Sequence, residues 1–272
     1  MKYFKALAAC LLAAMVSACG TTYQMPGIDE ALNGQASKMF AEAQNAPDRR
    51  VSSVGTGVAR FKRVARRVEP VAKQFCEQEL ASQPNFDCAV LLEIDREMKE
   101  RNAYFTYQGP GNQNPVIRFT VPMLQDAKND DELAFILGHE YGHLIGQHVQ
   151  KQQQQAVAGA LILGVMAAAV TGSAGSYDST LIDTSVDLGA AVGGQAFSQT
   201  YELESDMLGT RIAAAAGYDP IEGAKYFARG EEPKSENGQL SFWGTHPPDA
   251  ERVAMVLATV QQIETEQGLE RK

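Results

Sequence analysis

Residues 131–145 read Asp-Glu-Leu-Ala-Phe-Ile-Leu-Gly-His-Glu-Tyr-Gly-His-Leu-Ile, an apolar run that carries two histidines and a central glutamate. Because an α-helix repeats every 3.6 residues, His139 and His143 leave the same helix face and can reach one metal ion. Glu140 lies beside that ion and is placed to take a proton from an attacking water. A solvated helix surface is the alternative, but the apolar neighbours predict a buried helix, where unpaired ionisable groups are costly. The stretch therefore predicts a zinc-binding helix that carries a general base.

A second acidic stretch, Tyr201-Glu-Leu-Glu-Ser-Asp206, offers the third protein ligand that a catalytic zinc ion normally has. Glu202 and Asp206 share one helix face, whereas Glu204 points to another side. We expect Glu202 to bind the metal and Asp206 to accept the ring N–H of a histidine ligand, which fixes the tautomer of that ligand. Glu204 is expected to be solvated or salt-bridged. The alternative for Glu202 is an ordinary acidic position on an amphipathic helix.

The order H-E-x-x-H, then E-x-x-x-D, resembles the gluzincin metallopeptidases. More closely, it resembles the family that includes HtpX, BepA and the CAAX prenyl proteases. Three further stretches share the resemblance, which covers about residues 50–265. They are Asn-Ala-Tyr-Phe at 102–105, Val-Ile-Arg-Phe at 116–119, and Thr-His-Pro-Pro at 245–248 followed by Arg252.

The resemblance implies a zincin-like domain and a zinc-dependent endopeptidase with one Zn²⁺ per chain. Unfolded polypeptide would add in extended form to an edge strand, through main-chain hydrogen bonds. The substrate-binding residues implied in this way are Asn102, Ala103, Tyr104 and Phe105. Two features depart from the family pattern: the loop at 108–115 is longer, and Phe105 replaces a small residue of the substrate groove.

The same resemblance assigns roles to a C-terminal segment. His246, beside two prolines, is implied to lie near the metal. There it either stabilises the oxyanion of the tetrahedral intermediate or occupies the open zinc position in a latent state. Arg252 would brace this segment. His148 lies about 140° from His143 on a continuous helix, so it is a poor ligand and is expected to pack or hydrogen-bond.

Strand signals occur at 89–94, 102–107 and 116–121, and a turn cluster at 109–112 joins the last two into a hairpin. The rest of the chain is mainly helical in pattern. We therefore predict an α+β, mainly α fold, with a small three-stranded mixed sheet packed on the motif helix.

Helix signals fix the expected bounds of two long helices. Asn129 can cap the motif helix, which we expect to continue to about Gln154. The apolar spacing between residues 51 and 80 is also helical, and Pro70 is expected to break or kink that helix.

The N-terminus has the pattern of a lipoprotein signal peptide over residues 1–18. It contains two lysines, a short apolar run and the lipobox-like sequence Val-Ser-Ala-Cys19. An uncleaved membrane anchor is disfavoured, because the apolar run is shorter than the ~20 residues that a span needs. We expect a tether at 19–45 and a metallopeptidase domain at 46–272. Since Gly20 is not aspartate, the resemblance to enteric lipoproteins implies a protein anchored at Cys19 on the periplasmic side of the outer membrane.

Charge and cysteine content restrict the classes of partner. Removal of residues 1–18 moves the formal charge from −9 to −11, and an acidic chain has no electrostatic reason to bind nucleic acid. The cationic run at 60–67 is best explained as a solvated helix face, with contact to anionic lipid headgroups as the alternative. Cys76 and Cys88 form an even pair in an exported protein, which predicts a disulfide; two buried thiols are the alternative.

Residues 156–197 contain two apolar, small-residue segments separated by a Gly/Ser loop. Core helices are one explanation, and a hydrophobic lid or membrane-contacting hairpin over the metal is the other.

The predicted function is a zinc metalloendopeptidase that cleaves misfolded or unassembled envelope proteins. The competing function is a chaperone-like lipoprotein in outer-membrane assembly, whose metal site is latent or structural. No nucleophile elbow, phosphate loop or dinucleotide fingerprint appears in the sequence.

Overall fold

A computed structural model describes residues 20–47, 50–157, 197–229 and 240–272. In chain order, its helices are α1 (Glu30–Gln44), α2 (Val54–Glu79), α3 (Val121–Asp126), α4 (Asp130–Ile145), α5 (148–157), α6 (Gln199–Ala215), α7 (Pro220–Ala224), α8 (Phe242–Thr245) and α9 (Ala250–Glu264). Its strands are β1 (Leu91–Asp95), β2 (Ala103–Gly109) and β3 (Gln113–Thr120). The α+β, mainly helical fold is confirmed, and it is the zincin-like arrangement that the motifs predict.

The described strands form a three-stranded mixed sheet in the order β1-β3-β2. β1 runs parallel to β3, and β2 runs antiparallel to it, with Ala103 opposite Phe119 and Gly109 opposite Gln113. The hairpin turn uses the left-handed backbone region at Gly111 and Asn112, whose φ angles are 66° and 59°. The sheet packs on α4, and β2 lies at its edge.

Helix α4 lies at the centre of the domain. The side chain of Asn129 accepts the Glu132 N–H and caps its first turn, as predicted. Glycines allow α4 to contact α6 at backbone distance. A Cβ added at Gly138 would lie 2.8 Å from the Gly209 carbonyl oxygen, and one at Gly142 would lie 2.8 Å from the Ser205 Cα atom. Because only hydrogen fits there, the two helices approach closely along the motif.

The structure corrects the predicted end of the motif helix and excludes the predicted break at Pro70. α4 ends at Ile145 rather than near Gln154, because Gln147 adopts a left-handed φ of 56° before the chain becomes helical again at residue 148. α2 continues through Pro70 without a break. Pro70 and Arg66 are both exposed, so the Arg66 carbonyl that loses its helical partner can bond to water.

The described part of the predicted tether belongs to the folded domain. Helix α1 packs on α9 through Leu32 and Ala36, which form a core cluster with residues of α9. Tyr23 is completely buried and forms a β-bridge with Arg271. Residues 20–45 therefore act as an integral layer, since their apolar side chains are covered by the C-terminal helix.

The predicted disulfide is present: Cys76 of α2 is bonded to Cys88, and their Cα atoms are 5.9 Å apart. The predicted lipidation site Cys19, the signal peptide at 1–18 and nearly all of the apolar stretch at 156–197 lie outside the described residues. No helix within the described ranges has the length and apolar character needed to cross a bilayer.

Candidate metal centre

Four buried side chains direct donor atoms at one point between α4, α6 and the segment before α9. His139 and His143 come from α4, Glu202 from the first turn of α6, and His246 follows α8. Their donor atoms all lie within 4.8 Å of one another. The structure thus brings together the three predicted ligands and His246, for which the sequence left two roles open.

The distances within this group suit a shared cation. The Nε2 atoms of His139 and His143 are 3.0 Å apart. Glu202 lies 3.5 Å from each ring, with Oε2 facing His139 Nε2 and Oε1 facing His143 Nε2. Two ring nitrogens and a carboxylate around one point form the donor set that zinc and similar divalent metals prefer.

The proton positions on His139 support metal binding. Its Nδ1 lies 2.9 Å from Asp206 Oδ1, so the Nδ1–H donates to that carboxylate and Nε2 keeps its lone pair. That lone pair points to the ring nitrogen of His143. If the proton of His143 is on Nδ1, its Nε2 lone pair also faces this position, and a cation between the two rings would turn the approach of the two lone pairs into coordination. The residues therefore fit a bound metal ion.

Glu140 is buried beside these donors and has no hydrogen bond. Neither of its carboxylate oxygens has a hydrogen-bond partner among the described residues, although His246 Nε2 lies 3.4 Å from Oε1. A buried carboxylate that makes no hydrogen bond is costly and is tolerated mainly where chemistry requires it. Glu140 therefore has its acceptor atoms available for a substrate or water.

Arg252 of α9 holds the two acidic residues of α6 in place. Its Nε and Nη2 atoms each donate to Asp206 at 2.7 Å, and its Nη1 atom lies 3.1 Å from Glu202 Oε2. It also reaches the Pro247 carbonyl at 3.4 Å, which connects it to the segment it was predicted to brace.

The charge of this cluster controls its acid–base state. Burial raises the pKa of Glu202, but His246 and Arg252 more than offset it, so that the pKa lies below its usual range. Burial likewise raises the pKa of Asp206, and Arg252 outweighs it. Both carboxyl groups are accordingly held in the ionised form that metal binding and ring orientation need.

His246 lies between two carboxylates. Its Nδ1 is 3.0 Å from Glu202 Oε2 and 3.2 Å from His139 Nε2. Burial lowers the pKa of His246, whereas Glu202 and Glu140 raise it, and the balance brings it to about 10. The predicted proximity of His246 to the metal site is therefore present in the structure.

Glu204 and His148, which lie outside the predicted ligand set, are paired with each other. Of the two alternatives for Glu204, the structure shows the salt-bridged one: Glu204 is fully buried, and its Oε2 lies 2.8 Å from His148 Nε2 and 3.8 Å from Lys151 Nζ. His148 has the hydrogen-bonding role that was expected for it, and its Nδ1 lies 2.9 Å from His143 Nδ1. The sequence did not predict the contact between His143 and His148, because this contact depends on the break after α4, which changes the direction of the chain.

The predicted substrate strand lies at the sheet edge, and its first residue is tied to the segment that carries His246. The N–H of Asn102 donates to Thr120 Oγ1 at 3.0 Å, and its side chain donates to the Leu240 carbonyl at 3.3 Å. Ala103 and Phe105 are buried, and the Tyr104 hydroxyl donates to Asp95.

Comparisons with known proteins agree with this geometry. Residues 58–260 match the model of peptidase family M48. The chain is 33% identical to the metalloprotease LoiP of Escherichia coli K12 over 130 residues, which are 47% of this chain and 49% of LoiP. It is 29% identical to the mitochondrial metalloendopeptidase OMA1 of Saccharomyces cerevisiae over 130 residues, 46% of this chain and 35% of that protein. The aligned region spans about half of these relatives or less.

Proposed function

The chain belongs to peptidase family M48, and we propose that it is a zinc-dependent endopeptidase of the bacterial cell envelope that cleaves misfolded or unassembled envelope proteins. The buried carboxylate of Glu140, which makes no hydrogen bond within the described residues and lies beside the converging donors, is the main support for this proposal. A purely structural zinc site has no need for such a group, since four closed protein ligands suffice there.

The roles of the side chains follow from their positions. His139, His143 and Glu202 would hold one zinc ion, which when bound supplies Lewis acidity to the scissile carbonyl and to water. Glu140 would take a proton from the attacking water and later deliver it to the leaving amine. Asp206 would keep His139 in the tautomer that leaves Nε2 free for the metal, and Arg252 would hold both acidic side chains in place.

Substrate would bind along β2. An extended peptide can pair with the main chain of an edge strand, and this mode accepts many sequences because backbone groups supply the hydrogen bonds. Ala103 through Phe105 begin this strand, and Asn102, the residue before it, contacts the segment that leads to His246. Unfolded chains satisfy the requirement for an extended segment, whereas folded proteins hide theirs.

The envelope location rests on the lipobox-like sequence that ends at Cys19 and on the Cys76–Cys88 disulfide, since disulfides persist in oxidising compartments. In this proposal the protein is attached through lipid on Cys19 to the periplasmic side of the outer membrane. Cys19→Ser should abolish labelling by palmitate and release the protein from the membrane fraction. A variant that stays membrane-bound would contradict the anchor but not the peptidase.

The central test compares wild-type protein with Glu140→Gln and with Glu222→Gln, a partly exposed control on α7 that receives the same chemical change. We expect one zinc ion per chain in all three, measured by elemental analysis. Unfolded casein should be cleaved by wild type and Glu222→Gln and protected by a chelator. Glu140→Gln should bind zinc but cleave casein at least about 10²-fold more slowly, and a Glu140→Gln protein that cleaved casein at the wild-type rate would exclude this mechanism.

One observation favours the competing function, a chaperone-like protein with a latent metal site. His246 Nδ1 lies among the ligand atoms, so it can serve as a fourth donor and close the site. His246→Ala should raise casein cleavage if the ring blocks the metal and lower it if the ring stabilises the oxyanion. If the variant changed neither the cleavage rate nor the spectrum of a cobalt-substituted protein, His246 would have neither role.

A further inference from the structure

Behind His143, a buried row of hydrogen-bonding groups leads away from the metal centre. His143 Nδ1 faces His148 Nδ1 at 2.9 Å, and His148 Nε2 faces Glu204 Oε2 at 2.8 Å. All three side chains are fully buried. The opposite side of the metal centre has a shorter version of this arrangement, in which His139 bonds directly to the carboxylate of Asp206.

Metal binding at His143 determines which atom donates and which accepts in each hydrogen bond of this row. When Nε2 of His143 is a ligand, the ring proton must be on Nδ1, which can then only donate. His148 Nδ1 must therefore accept, and its own proton lies on Nε2 and is donated to Glu204. Each group thus has a partner of the correct kind, which a buried polar network requires.

The position of His148 depends on the break between α4 and α5. In a continuous helix its ring would leave the axis far from that of His143, but the left-handed Gln147 turns the chain back. The ring then fills the space beside Gly146, where an added Cβ would lie 2.3 Å from His148 Nε2. Tyr201 stacks on its other side, with ring centroids 4.5 Å apart. His148 is therefore confined to one orientation.

Glu204 is fixed by Tyr23, one of the first residues that the structure describes. The N–H of Tyr23 donates to Glu204 Oε1 at 2.6 Å, and Lys151 Nζ lies 3.8 Å from Oε2. Tyr23 is held in turn by the C-terminal residues, because the next residue, Gln24, donates its N–H to the Glu270 carbonyl. The N-terminal segment thereby contacts the network that orients a metal ligand.

We propose that His148 and Glu204 are positioning residues that hold His143 in the orientation and tautomer for metal binding, with the amide of Tyr23 fixing Glu204. This inference rests on the proposed metal site at His139, His143 and Glu202. Hydrogen-bond partners of ligand histidines commonly change metal affinity 10–100-fold when they are lost. The site then depends on contacts made by residues at both chain ends.

Two substitutions of His148, by the amide residues Asn and Gln, distinguish a specific role of its Nδ1 atom from the general effect of replacing the residue. Asn places an oxygen near the former Nδ1 atom, where it can accept the His143 proton, whereas Gln places its polar atoms near the former Nε2 atom, which faces Glu204. Zinc affinity, measured by competition with a chelator, should fall about 10–100-fold in His148→Gln and much less in His148→Asn. The d–d spectrum of bound cobalt(II) should shift in the same order.

Thr259→Val serves as a matched control, because this buried α9 residue loses only its bond to the Met255 carbonyl. It should bind zinc like the wild type. Equal zinc affinity and equal cobalt spectra in His148→Asn, His148→Gln and wild type would overturn the proposal. A wild-type protein that binds no zinc would instead overturn the proposed metal site.

Gly146→Ala provides a second perturbation that removes no polar group. Its methyl group would displace the His148 ring, so zinc affinity should fall although every hydrogen-bonding side chain remains. If the amide variants do not fold, this variant decides the question, and wild-type zinc affinity in Gly146→Ala would refute the positioning role.

Discussion

Two buried polar clusters of this protein differ in how completely their groups are paired. Around Asp126, the Tyr226 hydroxyl donates to Oδ2 at 2.8 Å, Arg229 forms an ion pair with the same oxygen, and Arg101 approaches Oδ1 at 3.4 Å. In the metal centre, Glu140 lacks any hydrogen bond within the described residues and the His139 and His143 Nε2 atoms converge.

This difference separates a structural role from a functional one. The Asp126 cluster connects α3 to the regions before β2 and after α7, and its charges are balanced by direct contacts. The metal centre has similar burial, but its unused acceptors and lone pairs meet at one point. Buried polar groups without partners usually mark a site that needs an external ligand. Four substitutions can test this distinction.

The largest effect is expected at Glu140. Glu140→Gln should lower the rate of casein cleavage by about 10²–10⁴-fold, the contribution typical of a general acid–base group. The free energy of unfolding of the metal-free protein should change little, because Glu140 makes no hydrogen bond within the described residues and its charged neighbour His246 keeps Glu202 as a partner. Denaturant titration measures the second quantity, and a clear loss of stability would show that Glu140 is a structural residue.

Asp126→Ala should lower the stability of the fold and leave the metal centre unchanged, which is the opposite of the result expected for Glu140→Gln. Removing Asp126 breaks its buried ion pair with Arg229 and its hydrogen bond with Tyr226, which should cost about 3–5 kcal/mol of unfolding free energy. Zinc affinity per folded molecule should remain that of the wild type. Chelator competition on the folded fraction provides the check, and a large change in affinity would show that the two clusters are coupled.

Asp206→Asn should have an intermediate effect within the metal centre. The amide keeps an oxygen for His139 but loses the charge that pairs with Arg252, so zinc affinity should fall about 10–100-fold. Zinc affinity equal to that of the wild type would mean that Arg252 alone can hold the ligands in place.

The smallest effect is expected for Asp126→Asn, which keeps an acceptor and removes only the charge. At neutral pH it should cost about 1 kcal/mol, the difference between charged and neutral hydrogen bonds. Burial raises the pKa of Asp126, but Arg229 outweighs it, so the folded-state pKa lies below the unfolded value near 3.9. The contribution is therefore present above that pH and lost as the pH falls through the folded pKa.

Denaturant titrations of wild type and Asp126→Asn at several pH values should thus give curves that converge in acid. If the stability difference persisted unchanged below the folded-state pKa, the ion pair with Arg229 would not be its cause.

Local sequence was sufficient for much of the fold. The cap at Asn129, the hairpin turn at 109–112 and the disulfide pair Cys76–Cys88 were predicted because each depends on residues close in sequence or on composition. The break predicted at Pro70 was a failure of local reasoning, since an exposed proline can remain within a long helix whose other face is packed. The described part of the tether was another, because its burial depends on α9, far along the chain.

The sequence alone determined that two histidines one helical turn apart, a neighbouring glutamate and a distant E-x-x-x-D pair could form one metal site. Helical periodicity is a local property, so the spacing was sufficient. Only the tertiary structure decided that His246 joins the donors and that His148 turns back to His143. The contact between Tyr23 and Glu204 also belongs to this second group, because such contacts depend on chain reversals and helix packing that no short stretch encodes.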